Sequence, residues 1–302
     1  MYSIIKYSIF IVKGSVVQIS KKIIFTTESG ADLPKNLVEK YHIHVVPMHV
    51  IMGGKDYLDG ELSVEEVFDY FKQTKRIPTT SATNSKEYED LFTNIRLQEP
   101  ESIIIHIGYT SKASASFQGA VIAAREFEDI YLIDALNVTG GLAAIVLYAA
   151  QLLEFYPSIE PQVLIEKIEK IIPKTRLAFI PGSLDFLKAG GRVSNVAYLG
   201  GTLLKLVPCI ELVEGKLVST KKFRGNGSVV TQKLMTDYMS QYDLDKEIIY
   251  LIYSIGLDES IKEAMTALAK QHGFKQIQWM QAGAMISTHA GPGGFGIAGF
   301  EK

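Results

Sequence analysis

The chain has 302 residues, 47% of them hydrophobic and 21% charged, with a net charge of −2. That composition belongs to a globular protein of one large or two smaller domains, and the absence of basic blocks argues against nucleic acid as a partner. A single cysteine, Cys209, excludes a disulfide within the chain and suits a reducing cytoplasm. Cys209 follows Pro208 in an apolar run and reads as a small buried hydrophobe.

Residues 1–21 are apolar but interrupted by Lys6 and Lys13, so no run approaches the ~18 apolar residues of a membrane span. They are expected to form a leader or an extra edge strand. From Lys22 the pattern becomes strand, loop, helix. Ile23 to Phe25 start a strand, Thr26 to Asp32 read as a polar loop, and Pro34 to Tyr41 as a helix. Val45 to Met52 form the next strand. Capping boxes at Ser63–Glu66 and Asn84–Glu87 open two helices. Ile103 to Ile107 is a buried strand, Ser116 to Phe127 a helix, and Ile130 to Ile133 another strand. This alternation predicts a parallel sheet covered by helices.

Leu142 to Phe155 is a long apolar helix, and Pro157 and Pro161 mark a joint before a helix at Val163 to Ile172. Strands follow at Leu177–Phe179, Cys209–Val213, Ile248–Ser254 and Ile277–Met280. Helices fit at Leu184–Lys188, Ser228–Met239 and Ser260–Gln271, and Gly215-Lys216 reads as a hairpin turn. The fold class is α/β in two domains. Residues 22–165 form a mostly parallel sheet flanked by helices, and residues 166–302 a smaller mixed sheet with helices.

Two hydroxyl clusters stand at strand ends, where open α/β sheets bind ligands. One is Pro78-Thr79-Thr80-Ser81; the other is the stretch Tyr109 to Ser116, which holds Ser111, Ser114 and Ser116 before a helix. Hydroxyls beside helix N-termini make a neutral cradle for a carboxylate or phosphate, although each cluster could equally serve as a helix cap. Near the C-terminus, His289 precedes Gly291-Pro292-Gly293-Gly294. The glycines mimic a dinucleotide fingerprint, but only six residues follow Gly296, so no βαβ unit can be built on it. The segment is expected to be a ligand-facing turn between the last two strands. Arg224 lies in a basic loop, and Arg192 follows a helix end at Gly190. His42-x-His44 could share one strand face as metal ligands, but no third ligand is nearby, and no metal or other cofactor is expected.

These segments together resemble the DegV family of bacterial fatty-acid-binding proteins, the acyl-carrying subunits of fatty acid kinase. Thr26-Thr27-Glu28-Ser29 with Asp32-Leu33-Pro34 is similar to the family's T-D-S…D-L-P, and Pro78 to Ser81 to P-T-T-S. Ser111 to Ala120 resembles S-x-L-S-G-T-Y-Q-S-A, and Ile133 to Gly141 resembles I-D-S…S-x-G. Leu187 to Ser194 resembles L-K-x-G-G-R-I-S, Lys205 to Arg224 K-x-x-P…G-K…K-x-R, and Ser287 to Gly293 A-H-T-G-P-G. The resemblance implies one long-chain fatty acid in an apolar tunnel. Thr79, Thr80, Ser81, Ser111, Ser114 and Ser116 would hold its carboxylate, with His289 and Arg224 close by. Arg192 would face a separate ATP-binding kinase subunit. The chain departs from the pattern at Glu28 (Asp in the family), Ala115-Ser116 (Gly-Thr), Ala135 (Ser), and at Tyr109 and Thr110.

No G-x-x-x-x-G-K-[ST] loop occurs, so the chain is expected to carry the acid rather than hydrolyse ATP, as a cytoplasmic monomer without membrane insertion. Two other readings stand beside this one. The first is an ester hydrolase using Ser114 and His289 as nucleophile and base; the second is a binding subunit for a small phospho-metabolite or hydroxyketone.

Overall fold

The computed structural model describes residues 21–194 and 206–302, and the backbone of two short strands, β1 (Ile9–Val12) and β2 (Ser15–Gln18). These two strands form an antiparallel sheet of their own. The remainder of the expected leader, and Lys205 of the family-like segment, lie outside the described residues.

From Ile23 the chain runs β3 (Ile23–Glu28), α1 (Lys35–Tyr41), β4 (His44–Val46), β5 (His49–Met52), β6 (Lys55–Leu58) and α2 (Val64–Thr74). It continues β7 (Thr79–Ser81), α3 (Ser85–Gln98), β8 (Ile103–Gly108), α4 (Ser116–Ala123), β9 (Ile130–Asp134) and α5 (Thr139–Phe155). Strands β4-β3-β8-β9 form the expected parallel sheet. Every residue of β8 is buried, which is why it reads as an unbroken apolar run. Both predicted capping boxes are present, at the starts of α2 and α3.

Two local expectations change. The strand expected over Val45–Met52 is split at Pro47, which has no N–H to continue a ladder. Its halves, β4 and β5, join different sheets, and β5 lies between β6 and β7 in a three-stranded antiparallel sheet. The polar residues Thr26, Thr27 and Glu28 are not loop but fully buried strand. Each has a partner that offsets its desolvation; Thr27 Oγ1, for one, donates to Ile107 O at 2.8 Å.

α6 (Pro161–Ile171) then carries the chain to a second sheet. There follow β10 (Thr175–Ile180), α7 (Leu184–Gly190), β11 (Val193–Ser194), β12 (Leu206–Val213), β13 (Lys216–Arg224) and α8 (Gly227–Gln241). The chain ends with β14 (Ile248–Tyr253), α9 (Glu259–Gln271), β15 (Gln276–Gln281), α10 (Ala284–Ala290) and β16 (Phe295–Phe300). This mixed sheet, ordered β11-β13-β12-β10-β16-β14-β15, is the larger of the two, not the smaller. The last strand, expected after the glycine-rich turn, is β16, buried along its whole length. The β12–β13 turn is Glu214-Gly215, one residue earlier than expected. Both residues have positive φ (49° and 78°), as a two-residue type I′ hairpin requires.

α5 lies between the sheets, touching β3 and β8 on one side and β10, β14 and β16 on the other. Its buried Leu142 to Leu147 share one core with Ile105 and Ile107 of the parallel sheet and Leu177, Ile252 and Ala298 of the mixed one. Helices α3 and α4 cover the outer face of the parallel sheet, and α8 and α9 that of the mixed sheet. Among the described residues no helix is long and apolar enough to cross a membrane.

Candidate functional site

A cavity of about 560 Å³ opens where the N-terminus of α5 meets β7, the β8–α4 loop, α10 and strands β10, β14 and β16. That volume is in the range of small-molecule sites. Its walls are mostly apolar, with Val138, Leu177, Phe179, Ile252, Met285 and Phe295 among them. Its polar lining includes Thr80, Ser81, Ser111, Ser114, Arg192 and His289.

Thr80 is the middle residue of β7, opposite Val50 in register. Side chains alternate along a strand, so half-buried Thr80 faces inward while Thr79 and Ser81 are exposed. Thr80 Oγ1 lies 2.8 Å from His289 Nε2. His289 is in the last turn of α10, not in a turn between strands as expected, because Ala284–Ala290 coils between β15 and β16. The glycine-rich turn comes after it, and Gly293 N–H bonds back to Ile255 O at 3.0 Å.

The His289 side chain is part-buried, and its Nδ1 fully so. Burial first, and the Arg192 charge second, push its pKa down to about 4. It is therefore neutral at pH 7. Its Nδ1 is buried without a hydrogen-bond partner among the described residues. This nitrogen lies against Gly190, where a Cβ would come within 2.2 Å of it. The glycine that reads as a helix stop is thus also the floor beneath the imidazole. Arg192 is exposed, donates from Nη1 to Gly190 O at 2.6 Å, and borders the cavity.

On the β8–α4 loop, Ser114 lines the cavity and Ser116 lies behind it. Ser116 is fully buried, with its Oγ accepting from Thr83 N–H at 3.2 Å and bonded to Ser114 Oγ at 2.9 Å. Ala115, which stands where the family has glycine, takes φ −81° and ψ −3°, an ordinary region for any residue. Ser111 is exposed, its N–H held by Asp134. Thr110 Oγ1 donates to Gly215 O at 2.8 Å and ties this loop to the β12–β13 turn.

A second polar cluster lies on the other side of the same loop, outside the cavity. Glu28 accepts from Tyr88 OH at 2.5 Å, from Tyr109 N–H at 2.8 Å, and pairs with His106 Nε2 at 3.2 Å. His106 Nδ1 in turn meets Thr26 Oγ1 at 2.9 Å. Burial opposes the charge on Glu28, yet the His106 charge and these hydrogen bonds hold its carboxyl below the usual range. Asp32 makes a further clip. It accepts from Thr139 Oγ1 at 2.5 Å and Gly283 N–H at 2.7 Å, joining the starts of α5 and α10; burial pushes its pKa up to about 8.

Of the residues singled out from sequence, the cavity brings together Thr80, Ser81, Ser111, Ser114 and His289. It does not include Thr79, and Ser116 is a supporting residue. Arg224 is exposed and absent from the lining. It ends β13, seven residues beyond cavity-lining Leu217, or roughly 23 Å of extended strand. Among the described residues the cation lining the cavity is Arg192, which is also exposed to a partner, as the resemblance implies. Ser114 Oγ bonds Ser116 and His289 Nε2 bonds Thr80, so the hydrolase pair is not assembled. Among the described residues no group of three or more His, Cys, Asp or Glu could hold a metal ion. Tyr109, Met48 and Ser254 also line the cavity. For Met48 and Ser254 no sequence signal marks them; Tyr109 sat within the hydroxyl cluster.

Two α/β layers around a largely apolar cavity with a few alcohol donors form the kind of site that takes a small, mostly apolar molecule. Residues 22–302 match the family described as "Uncharacterised protein, DegV family". The chain belongs to the DegV family. It is 32% identical to a DegV domain-containing protein of Caldanaerobacter subterraneus subsp. tengcongensis, over 93% of this chain and all of that one. Among solved structures it resembles a DegV family protein from Thermus thermophilus described by its fatty acid binding (TM-score 0.83, 25% identity, 93% and 100% of the two chains). It shares its fold with the fatty acid kinase B3 protein of Streptococcus pneumoniae loaded with linoleic acid (TM-score 0.79, 18% identity, 93% and 100%).

Proposed function

We propose that this protein binds one long-chain fatty acid in the 560 Å³ cavity and presents its carboxylate to a separate ATP-dependent kinase subunit. The observation that carries the reading is the joining of an apolar cavity to the Thr80–His289 pair and Ser114. A sixteen-carbon tail contributes about 0.8 kcal/mol per buried CH₂, on the order of 10 kcal/mol gross. Association and ordering remove several of these, so tight binding needs no strong ionic contact at the head group.

The hydroxyls supply the rest. Neutral His289 can donate from Nε2 to Thr80 Oγ1, which leaves the Thr80 proton free for a carboxylate oxygen. Ser114 donates to the second oxygen while Ser116 N–H holds it in place. A cradle without a buried cation leaves the carboxylate nucleophilic toward the γ-phosphorus of ATP on the partner, where the new O–P bond forms as the bond to the β–γ bridging oxygen breaks and ADP leaves. The acyl phosphate formed carries more negative charge, and Arg192 at the rim is the cation placed to meet it. The relatives' bound fatty acids and the kinase context of the Streptococcus pneumoniae protein support this reading.

Titration of lipid-stripped protein with palmitic acid tests it. Saturable one-to-one binding is expected, weakened about tenfold in a Thr80→Ala, Ser114→Ala double variant through two lost hydrogen bonds. Binding of a phosphorylated triose in place of the acid would overturn it. Arg192→Ala should bind the acid normally and lose acyl-phosphate formation when the kinase subunit and ATP are added.

A further inference from the structure

Tyr109 is used by none of the steps above, yet it lines the cavity and is only 7% exposed. Its position is fixed from several sides. Its N–H is held by Glu28 at 2.8 Å. Its ring edge lies over Gly30, where a Cβ would meet Tyr109 Cδ2 at 3.0 Å, Met48 Sδ at 3.0 Å and Met285 Cε at 2.6 Å. Met48 and Met285 line the same cavity, so these three side chains converge on Gly30, which has no room for a Cβ.

A ring packed for size alone needs no hydroxyl. Buried phenols normally find an acceptor, and here none of the described residues supplies one: burial, then the Asp32 and Arg192 charges, account for its titration without any hydrogen bond. Burial also raises its pKa, so the group is a protonated donor at every physiological pH. The hydroxyl is not one of the fully enclosed unpartnered atoms, so it keeps open space beside it, and the space that Tyr109 lines is the cavity, where an occupant's oxygen can meet it.

We infer that Tyr109 is a ligand-contacting specificity residue, its hydroxyl donating to an oxygen of the bound acyl compound. The inference deepens the fatty-acid reading and rests on it. The oxygen has two possible sources: the carboxylate itself, or a hydroxyl or keto group along the chain. Binding measurements separate them. The donor also disfavours a hydrocarbon segment that passes it without an acceptor, because its hydration is then lost uncompensated.

The test compares the parent with Tyr109→Phe, which keeps the ring and removes only the oxygen. The probes are stearic acid and a stearic acid hydroxylated at mid-chain, each titrated into lipid-stripped protein. Loss of one hydrogen bond weakens binding about three- to tenfold. Equal weakening for both acids assigns the bond to the carboxylate. Weakening confined to the hydroxylated acid, with stearic acid bound as well or better, assigns it to the chain. Tyr109→Phe binding both acids within twofold of the parent overturns the inference. Tyr109→Leu, which also lacks the oxygen, should reproduce the same pattern if the first variant is unstable. A parent that binds neither acid removes the fatty-acid reading itself, a result distinct from parent and variant binding alike.

Discussion

Two histidines, the buried His106 and the part-buried His289, face opposite circumstances. His106 is fully buried outside the cavity, and both its ring nitrogens have partners, Thr26 and Glu28. His289 has one partner, Thr80, and its other nitrogen faces Gly190 with none. The first is part of a closed network whose members satisfy one another, which is how a core tolerates polar groups. The second sits in an open network whose chain of donors ends at an empty-walled cavity. The difference separates polar residues that build the fold from those that wait for a ligand, although both sets look alike in sequence.

Variants should break this contrast most strongly at Glu28. Glu28→Ala strands His106, Tyr88 OH and Tyr109 N–H together, and a loss of about 3–5 kcal/mol is expected by denaturant unfolding. Gly190→Ala pushes a methyl against His289 Nδ1 and should cost about 1–3 kcal/mol while displacing the imidazole and weakening acid binding. Thr80→Val should cost only about 1 kcal/mol of stability yet weaken palmitate binding measurably, the mark of a ligand-facing group. If Thr80→Val proves as destabilising as Glu28→Ala, the contrast fails.

The smallest effect is on pH dependence. Burial lowers the folded pKa of His289 to about 4 from the usual 6.5. Below 6.5 the unfolded chain takes up a proton that the native ring refuses, so this stability is present above pH 6.5 and lost as pH falls toward 4. His289→Gln should flatten that part of the stability profile. A variant whose profile between pH 4 and 6.5 matches the parent would show that the ring is not desolvated in solution.

Much of the fold was legible because it rests on strong local signals. The buried run Ile103–Ile107, the capping boxes at Ser63 and Asn84, and the long apolar α5 each declare their element in sequence. Less legible were strands whose polar residues are satisfied only in three dimensions, such as Thr26–Glu28, and the break at Pro47, which depends on where each half finds an edge. The site was half legible. Thr80, Ser114 and His289 follow from residue type and position before or within turns. Which arginine lines the cavity did not follow, because the roughly 23 Å of extended strand between Leu217 and Arg224 is a property of strand direction and not of composition. Tyr109 was visible as a departure, but its burial and its open hydroxyl exist only once Gly30, Met48 and Met285 close around it.

The most direct test is solvent extraction of the purified protein followed by mass spectrometry of what is released. The account predicts a straight-chain acid of about fourteen to eighteen carbons, the length whose tail burial outweighs the association cost, in stoichiometric amount and strongly reduced in the Gly190→Ala protein. An extract holding no acyl compound, or a phosphorylated metabolite in its place, would contradict it.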